Sequence, residues 1–269
     1  AIETISKSFD SVEWNLVCAP VIRRDMRCGI SEKTINKIVG KSDYRVPTFD
    51  CQLATNCEDR PEMKGIKRLE PKLDGVRVLA VVNGGGVTLY SRNGKQFDNF
   101  SQIEDALSNL HSSINLETKG PFILDGEVVG KSFQDLMKQA QRKSDVQTKG
   151  MVYHIFDVMP LADFERGYWN AQLHKRVEML ETMRPVIDTM PNVELLPHIM
   201  VDLDTAAGKD QLMRYAKDQV NAGFEGIMIK DVRAPYECKR TSSWMKWKPT
   251  ITVDLEVTDV EEGTGRNLG

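Results

Sequence analysis

Apolar residues recur every three or four positions through SVEWNLVCAPVIRRDMRCGI (11–30), the period of an amphipathic helix. SEKTINKIVG (31–40) adds a shorter helix that Ser31 can cap. Pro47 ends this texture, because the residue before a proline is pushed out of the helical region. From Leu69 the pattern changes. VRVLAVV (76–82), NGGG (83–86) and VTLYS (87–91) predict a β-hairpin closed by a glycine-rich turn. PFILDGEVVG (121–130) and MVYHIFDVM (151–159) predict further strands, and the second is apolar enough to be buried on both faces. Helices are expected in SQIEDALSNLHSS (101–113), SFQDLMKQAQRK (132–143), AQLHKRVEMLETM (171–183) and DQLMRYAKDQVNAG (210–223), the last ended by Gly223. GIMIK (226–230) and SWMKWKP (243–249) return to strands. Hairpins interleaved with helices predict an α+β fold of packed, twisted antiparallel sheets with helices on them.

Three regions are expected. Residues 1–45 are helical and too few for a complete helical domain, residues 46–249 form the α+β domain, and 250–269 open a further domain. ITVDLEVTDVEEGTGRNLG (251–269) starts as an alternating strand and stops, and a lone strand cannot bury its face. The expectation is therefore a chain cut at both ends.

Composition changes this picture little. The 269 residues are 41% hydrophobic and 28% charged, with net charge −3. The sequence pI is about 5.9. A protein held to nucleic acid by bulk charge is basic overall, so any such contact needs a local basic surface. Cys18, Cys28, Cys51, Cys57 and Cys238 include no CxxC pair, which supports neither a zinc ribbon nor a disulfide scaffold and points to a reducing cytoplasm. No apolar run is long enough to span a bilayer, and AIETISKSFD lacks the basic start and apolar core of a signal peptide.

The candidate chemistry centres on Glu70-Pro71-Lys72-Leu73-Asp74-Gly75-Val76-Arg77. A lysine beside a strand acts as a nucleophile when its amine, with an ordinary pKa of about 10.4, is deprotonated. Burial and neighbouring cations such as Arg77 favour that form. The plainer reading is a solvated Lys-Asp turn before a hairpin. SRNGKQF (91–97) sets Arg92 and Lys95 around an Asn-Gly turn. LDGEVVG (124–130) puts Asp125 and Glu127 on one face, where they can hold a sugar hydroxyl or a divalent ion, or else form an exposed strand edge. Phe156, beside Asp157, can stack on a base or belong to the core. FEGIMIK (224–230) places Glu225 and Lys230 around an apolar strand. In Trp244-Met245-Lys246-Trp247-Lys248, alternation is expected to send the two lysines to one face, suited to a polyphosphate, and the tryptophans to the other.

KLDGVR, SRNGK, LDGEVVG, VYHIFD, FEGIMIK and MKWK occur in the order and spacing of the covalent nucleotidyltransferases, which include DNA ligases, RNA ligases and messenger-RNA capping enzymes. Each motif is weak alone, and the match spans about residues 69–249. RRDMRCGISEKTINKI (23–38) also resembles the end of the helical DNA-binding domain of ATP-dependent DNA ligases, particularly those of tailed phages. The last strand resembles the opening of the OB-fold that follows the adenylation domain in that family. The resemblance implies ATP and Mg2+ as cofactors and a lysyl-AMP intermediate on Lys72. It further implies nicked double-stranded DNA as partner, and a monomer with no membrane association. By the same matches Glu70 meets the adenine amino group, Arg77 and Arg92 touch AMP or the nick phosphate, Glu127 binds the ribose and Phe156 stacks on adenine. Lys230, Lys246 and Lys248 are expected at the phosphates, and Glu225, then Glu127, at the metal. An RNA ligase, a guanylyltransferase, or an inactive nucleic-acid-binding protein on the same fold remain open at this level.

Overall fold

The computed structural model describes residues 10–19, 34, 38, 49–59, 62–113, 120–130, 150–250, 256 and 259. The helix expected at 132–143, the strand at 251–269 and nearly all of the amino-terminal stretch at 23–38 lie outside them.

Twelve described strands follow the chain: β1 (Leu53–Asn56), β2 (Ile66–Pro71), β3 (Val76–Asn83), β4 (Gly86–Ser91), β5 (Phe122–Val129), β6 (Val152–Pro160), β7 (Tyr168–Trp169), β8 (Val193–Leu195), β9 (Ile199–Asp202), β10 (Ile227–Asp231), β11 (Tyr236–Glu237) and β12 (Arg240–Trp247). Helices α1 (Ser101–Leu107), α2 (Leu110–Ser113), α3 (Leu161–Arg166), α4 (Leu173–Ile187) and α5 (Ala206–Asn221) lie between them. Ten strands make two five-stranded sheets, in the orders β4-β3-β5-β6-β8 and β1-β12-β10-β2-β9, and β7 pairs with β11.

The expected hairpin is β3–β4. Asn83 pairs with Gly86 across a two-residue loop, and the Asn83 side chain accepts the Gly85 N–H at 2.7 Å. Most pairings are antiparallel as expected, but β1 runs parallel to β12 and β6 parallel to β8. Parallel neighbours cannot be joined by a tight turn, and each of these pairs closes over a long stretch of chain.

Each sheet has one face in an apolar core. On the first, Val78, Ala80 and Val82 of β3, Leu124 and Val128 of β5 and Tyr153 and Ile155 of β6 pack with Leu107 of α1 and Leu180, Met183 and Ile187 of α4. On the second, Leu69, Ile227, Ile229 and Met245 pack with Leu212, Tyr215 and Ala216 of α5. The Thr205 hydroxyl caps α5 by accepting the Gly208 N–H at 3.0 Å, and Gly223 follows its end at φ 93°. A strand period of two then assigns the alternate residues Arg68, Glu70, Met228, Lys230, Trp244 and Lys246 to the face away from that core.

This register corrects one expectation. Trp244 shares its face with Lys246, whereas Met245 and Trp247 join the α5-side core. The tryptophans sit at positions of opposite parity, so they cannot share a face. A second correction concerns Asp125 and Glu127. Strand β5 lies between β3 and β6, so it is not a sheet edge, and a bulge between Asp125 and Gly126 interrupts its register with β6.

Residues 1–49 and 50–269 form separate units. In the first, a helical turn at Ser11–Glu13 runs into a π-helical turn at Trp14–Cys18, with the Asp10 carboxylate accepting the Val12 N–H at 2.8 Å. Among the described residues no helix is long and apolar enough to cross a membrane.

Candidate functional site

Both sheets contribute to the wall of one cavity of about 690 Å³. That volume is in the range of sites for ligands of nucleotide size. Its lining brings together Glu70, Lys72, Arg77, Arg92, Glu127, Phe156, Lys230 and Lys246 of the predicted residues, with Lys95 and Arg240 beside them. Seven basic side chains face two carboxylates in that lining, in a protein of net charge −3. Glu225 and Lys248 are not part of the lining, but both connect to it through Lys72.

Lys72 follows β2 directly. Its N–H donates to the Gly226 carbonyl at 2.9 Å, and its own carbonyl accepts the Glu225 N–H at 3.2 Å. The KLDG and FEG segments, about 150 residues apart in sequence, are therefore locked face to face by the backbone. The Lys72 ammonium meets the Glu225 carboxylate, whose other oxygen takes Lys248 Nζ at 2.8 Å. Burial opposes ionisation of Glu225, but hydrogen bonds from Lys248 and Lys72 outweigh it and hold the carboxyl below its ordinary range.

Two glycines make the approach possible. A Cβ on Gly226 would lie 2.1 Å from the Trp247 carbonyl oxygen, and its φ of 146° suits glycine alone. A Cβ on Gly75 would lie 2.3 Å from the Val128 carbonyl oxygen and would also press on Glu127. The glycine of each motif is thus a packing requirement beside a charged partner.

Arg77 lines the cavity, yet its guanidinium is committed to Asp125 through Nε at 2.8 Å and Nη2 at 2.5 Å. The Tyr236 hydroxyl donates to the same carboxylate at 2.6 Å. Arg77 also lies 5.2 Å from the Phe156 ring and 5.4 Å from the Trp244 ring, within cation–π range. Arg92 and Lys95 project from a turn in which the Ser91 N–H donates to the Lys95 carbonyl at 2.8 Å and Gly94 takes φ 78°.

Glu127 is half-buried between these groups. Burial raises its carboxyl, and Arg77 and Lys72 only partly offset this, leaving it at about 7 against an ordinary 4.5. Between these two values the folded protein holds a proton that the unfolded chain releases, so Glu127 makes stability fall as pH rises from about 4.5 to about 7. Melting temperature measured from pH 4.5 to 8 without ligand is expected to carry this decline against the opposing rise from His154 and His198, whose imidazoles burial holds below their ordinary range. Glu127→Gln, which cannot ionise, should flatten the decline relative to the parent, and identical slopes would refute the assignment.

Deeper in the cavity, Lys230 is 1% exposed, 2.7 Å from Glu70 Oε2 and about 4 Å from the ring centres of both Phe156 and Trp244. Burial pulls its ammonium below the ordinary lysine range, and the Glu70 carboxylate pulls the other way. The structure therefore groups Lys230 with Glu70 and Phe156. Trp244 and Arg240 are wall residues that sequence reasoning did not single out. Parity with Lys246 was an available signal for Trp244, while Arg240 carried none. Among the described residues no three His, Cys, Asp or Glu side chains come together as a metal cluster; Glu225 pairs with Lys72, and the Lys72 charge also acts on Glu127.

A lysine anchored by its backbone at a cation-rich cavity between two sheets is the core of a nucleotidyltransferase. The family described as ATP dependent DNA ligase domain matches residues 51–248, and the chain belongs to it. The DNA ligase 2 of Methanosarcina acetivorans is 32% identical over 222 residues, covering 77% of this chain and 37% of its own. The DNA ligase of Halobacterium salinarum is 32% identical over 213 residues, 74% of this chain and 35% of its own. A solved chain named Pmar-Lig_Pre superposes with TM-score 0.82 at 44% identity, over 95% of this chain and 59% of its own. The ATP-dependent DNA ligase from bacteriophage T7, solved in complex with ATP, superposes with TM-score 0.59 at 19% identity over 75% of this chain and 69% of its own, and shares the fold. The chain spans roughly a third of the length of these curated relatives.

Proposed function

We propose that this chain carries the adenylating core of an ATP-dependent DNA ligase. Lys72 Nζ attacks the α-phosphorus of ATP, pyrophosphate leaves, and AMP is held as a phosphoramide. AMP then passes to the 5′-phosphate at a nick in double-stranded DNA. The 3′-hydroxyl attacks that phosphate, forms the phosphodiester and releases AMP. Splitting the condensation in this way replaces one difficult step by easier ones.

The observation that carries the reading is the pair of backbone hydrogen bonds that fix Lys72 against Glu225–Gly226 at the wall of a basic cavity. The proposed roles follow from position. Glu70 and Lys230 take the edge of the base, Phe156 its face and Glu127 the ribose. Arg92, Lys246 and Lys248 neutralise the phosphates. Arg77 contributes its charge while its fork stays on Asp125. Magnesium, when bound, would offset the charge on the triphosphate, and Glu225 and Glu127 would hold it, Glu225 by giving up Lys72 or Lys248 from its carboxylate. The reading carries with it a monomeric, cytoplasmic enzyme.

The test is incubation with magnesium and α-labelled ATP or GTP, followed by denaturing electrophoresis and peptide mapping. Acid-labile label from ATP on the Lys72 peptide is expected. Label from GTP instead would make the protein a guanylyltransferase. Absence of label from both, with no AMP adduct already present by mass spectrometry, would leave a nucleic-acid-binding protein on the same fold.

A further inference from the structure

Glu70 is 1% exposed and shares its carboxylate between two cations. Lys230 approaches Oε2, and Arg68 Nε lies 2.9 Å from Oε1. Arg68, 2% exposed, is not part of the cavity wall. It lies on β2 two residues before Glu70 and opposite Lys230 on β10. Its Nη1 donates to the Phe156 carbonyl at 3.2 Å. One guanidinium therefore joins the carboxylate at the edge of the cavity to the strand that carries the ring beside it. A planar fork can serve two acceptors at fixed separation, which a single ammonium cannot do.

The contacts leave capacity over. Arg68 Nε, Glu70 Oε1 and Lys230 Nζ are buried without a well-directed hydrogen bond. Such groups are costly to bury and call for an explanation. Glu70 and Lys230 both line the cavity, so it presents an acceptor beside a donor. An adenine edge offers the complement, a donating exocyclic amine beside an accepting ring nitrogen. A guanine edge offers an accepting oxygen beside a donating N–H, which matches only if the base shifts along the edge. Discrimination then depends on how firmly the carboxylate is held relative to the stacking ring.

We infer that Arg68 is a positioning residue for base selection, fixing Glu70 relative to Phe156 so that the cavity prefers a purine bearing a 6-amino group. This rests on the proposed nucleotidyl transfer and goes beyond it by assigning a side chain that does not touch the nucleotide.

The experiment compares ATP with purine riboside 5′-triphosphate, which lacks the 6-amino group, as donors of α-label to Lys72 in the full chain. The variants are Arg68→Met and Arg68→Lys. The parent is expected to favour ATP in kcat/KM by about tenfold or more, the worth of a hydrogen bond to a charged acceptor. Arg68→Met should lower kcat/KM for ATP by about tenfold, mainly through KM, and leave the analogue nearly unchanged, so that the preference collapses. Arg68→Lys keeps the charge and should recover part of the preference; should the methionine variant fail to fold, its ratio alone decides. A parallel loss with both donors would show a scaffold role and overturn the inference, as would an unchanged ratio. A parent labelled by ATP without preference over the analogue would also overturn it while leaving nucleotidyl transfer standing. A parent labelled by neither donor, with no AMP adduct already present by mass spectrometry, would remove both.

Discussion

Lys72→Ala is expected to carry no label from ATP under conditions in which the parent is labelled. Loss of a covalent nucleophile costs on the order of a millionfold in turnover, which puts residual transfer below detection. The fold should survive the change. The side chain is one-fifth exposed, and its ion-pair partner Glu225 keeps Lys248. The two hydrogen bonds that hold the segment against Glu225–Gly226 use only backbone atoms. A partly exposed pair contributes about 1 kcal/mol or less, so the urea midpoint should barely move. Label persisting in the variant would reassign the nucleophile. A large fall in the midpoint would show the Lys72–Glu225 pair to be structural.

How much of this was legible in the sequence differs by element. The β3–β4 hairpin, β5 and β6 were readable because alternation or sustained apolar character runs for six residues or more and Asn83–Gly86 supplies the turn. Strands β7, β8 and β11 are two or three residues long, too short for any period to register, and among the described residues β1 belongs to its sheet through a parallel pairing with β12 far along the chain. Lys72 and Glu127 of the cavity wall, and Glu225 behind Lys72, could be grouped beforehand only because motifs in a known order imply one another. Nothing local to Lys72 shows that Glu225 faces it. Arg68 was not legible at all. Its role depends on Lys230 lying opposite on β10 and on the Phe156 carbonyl from the other sheet, and both come from topology. The tryptophans were misplaced by an error of parity, corrected once Met245 and Trp247 were seen on the α5 side.

The largest effect on stability is expected at Asp157, beside Phe156 but outside the proposed chemistry. Asp157 and Arg176 are both fully buried and meet through Nε at 2.7 Å and Nη2 at 3.0 Å. Arg176 also donates through Nη1 to the carbonyls of Ala171 at 2.5 Å and Ala234 at 3.2 Å, and its guanidinium lies 5.5 Å from the Tyr236 ring. One side chain of α4 thus ties β6 to the segment between β10 and β11. Asp157→Ala leaves an uncompensated guanidinium in the interior, which costs about 3–5 kcal/mol. That is a large share of the roughly 5–15 kcal/mol that stabilises a domain of this kind. Chemical denaturation should show the midpoint falling steeply with the slope unchanged. Replacing both partners, Asp157→Leu with Arg176→Met, removes the stranded charge and should restore much of the loss, because the pair's desolvation penalty disappears with it. A double variant no more stable than the sum of the two single losses would show that the carbonyl contacts of Arg176, and not its pairing with Asp157, hold the two segments together. Because Phe156 precedes Asp157 on the same strand, the single variant should also weaken ATP labelling through KM before it unfolds. Weakening confined to kcat would place the strain at Lys72, on the opposite sheet.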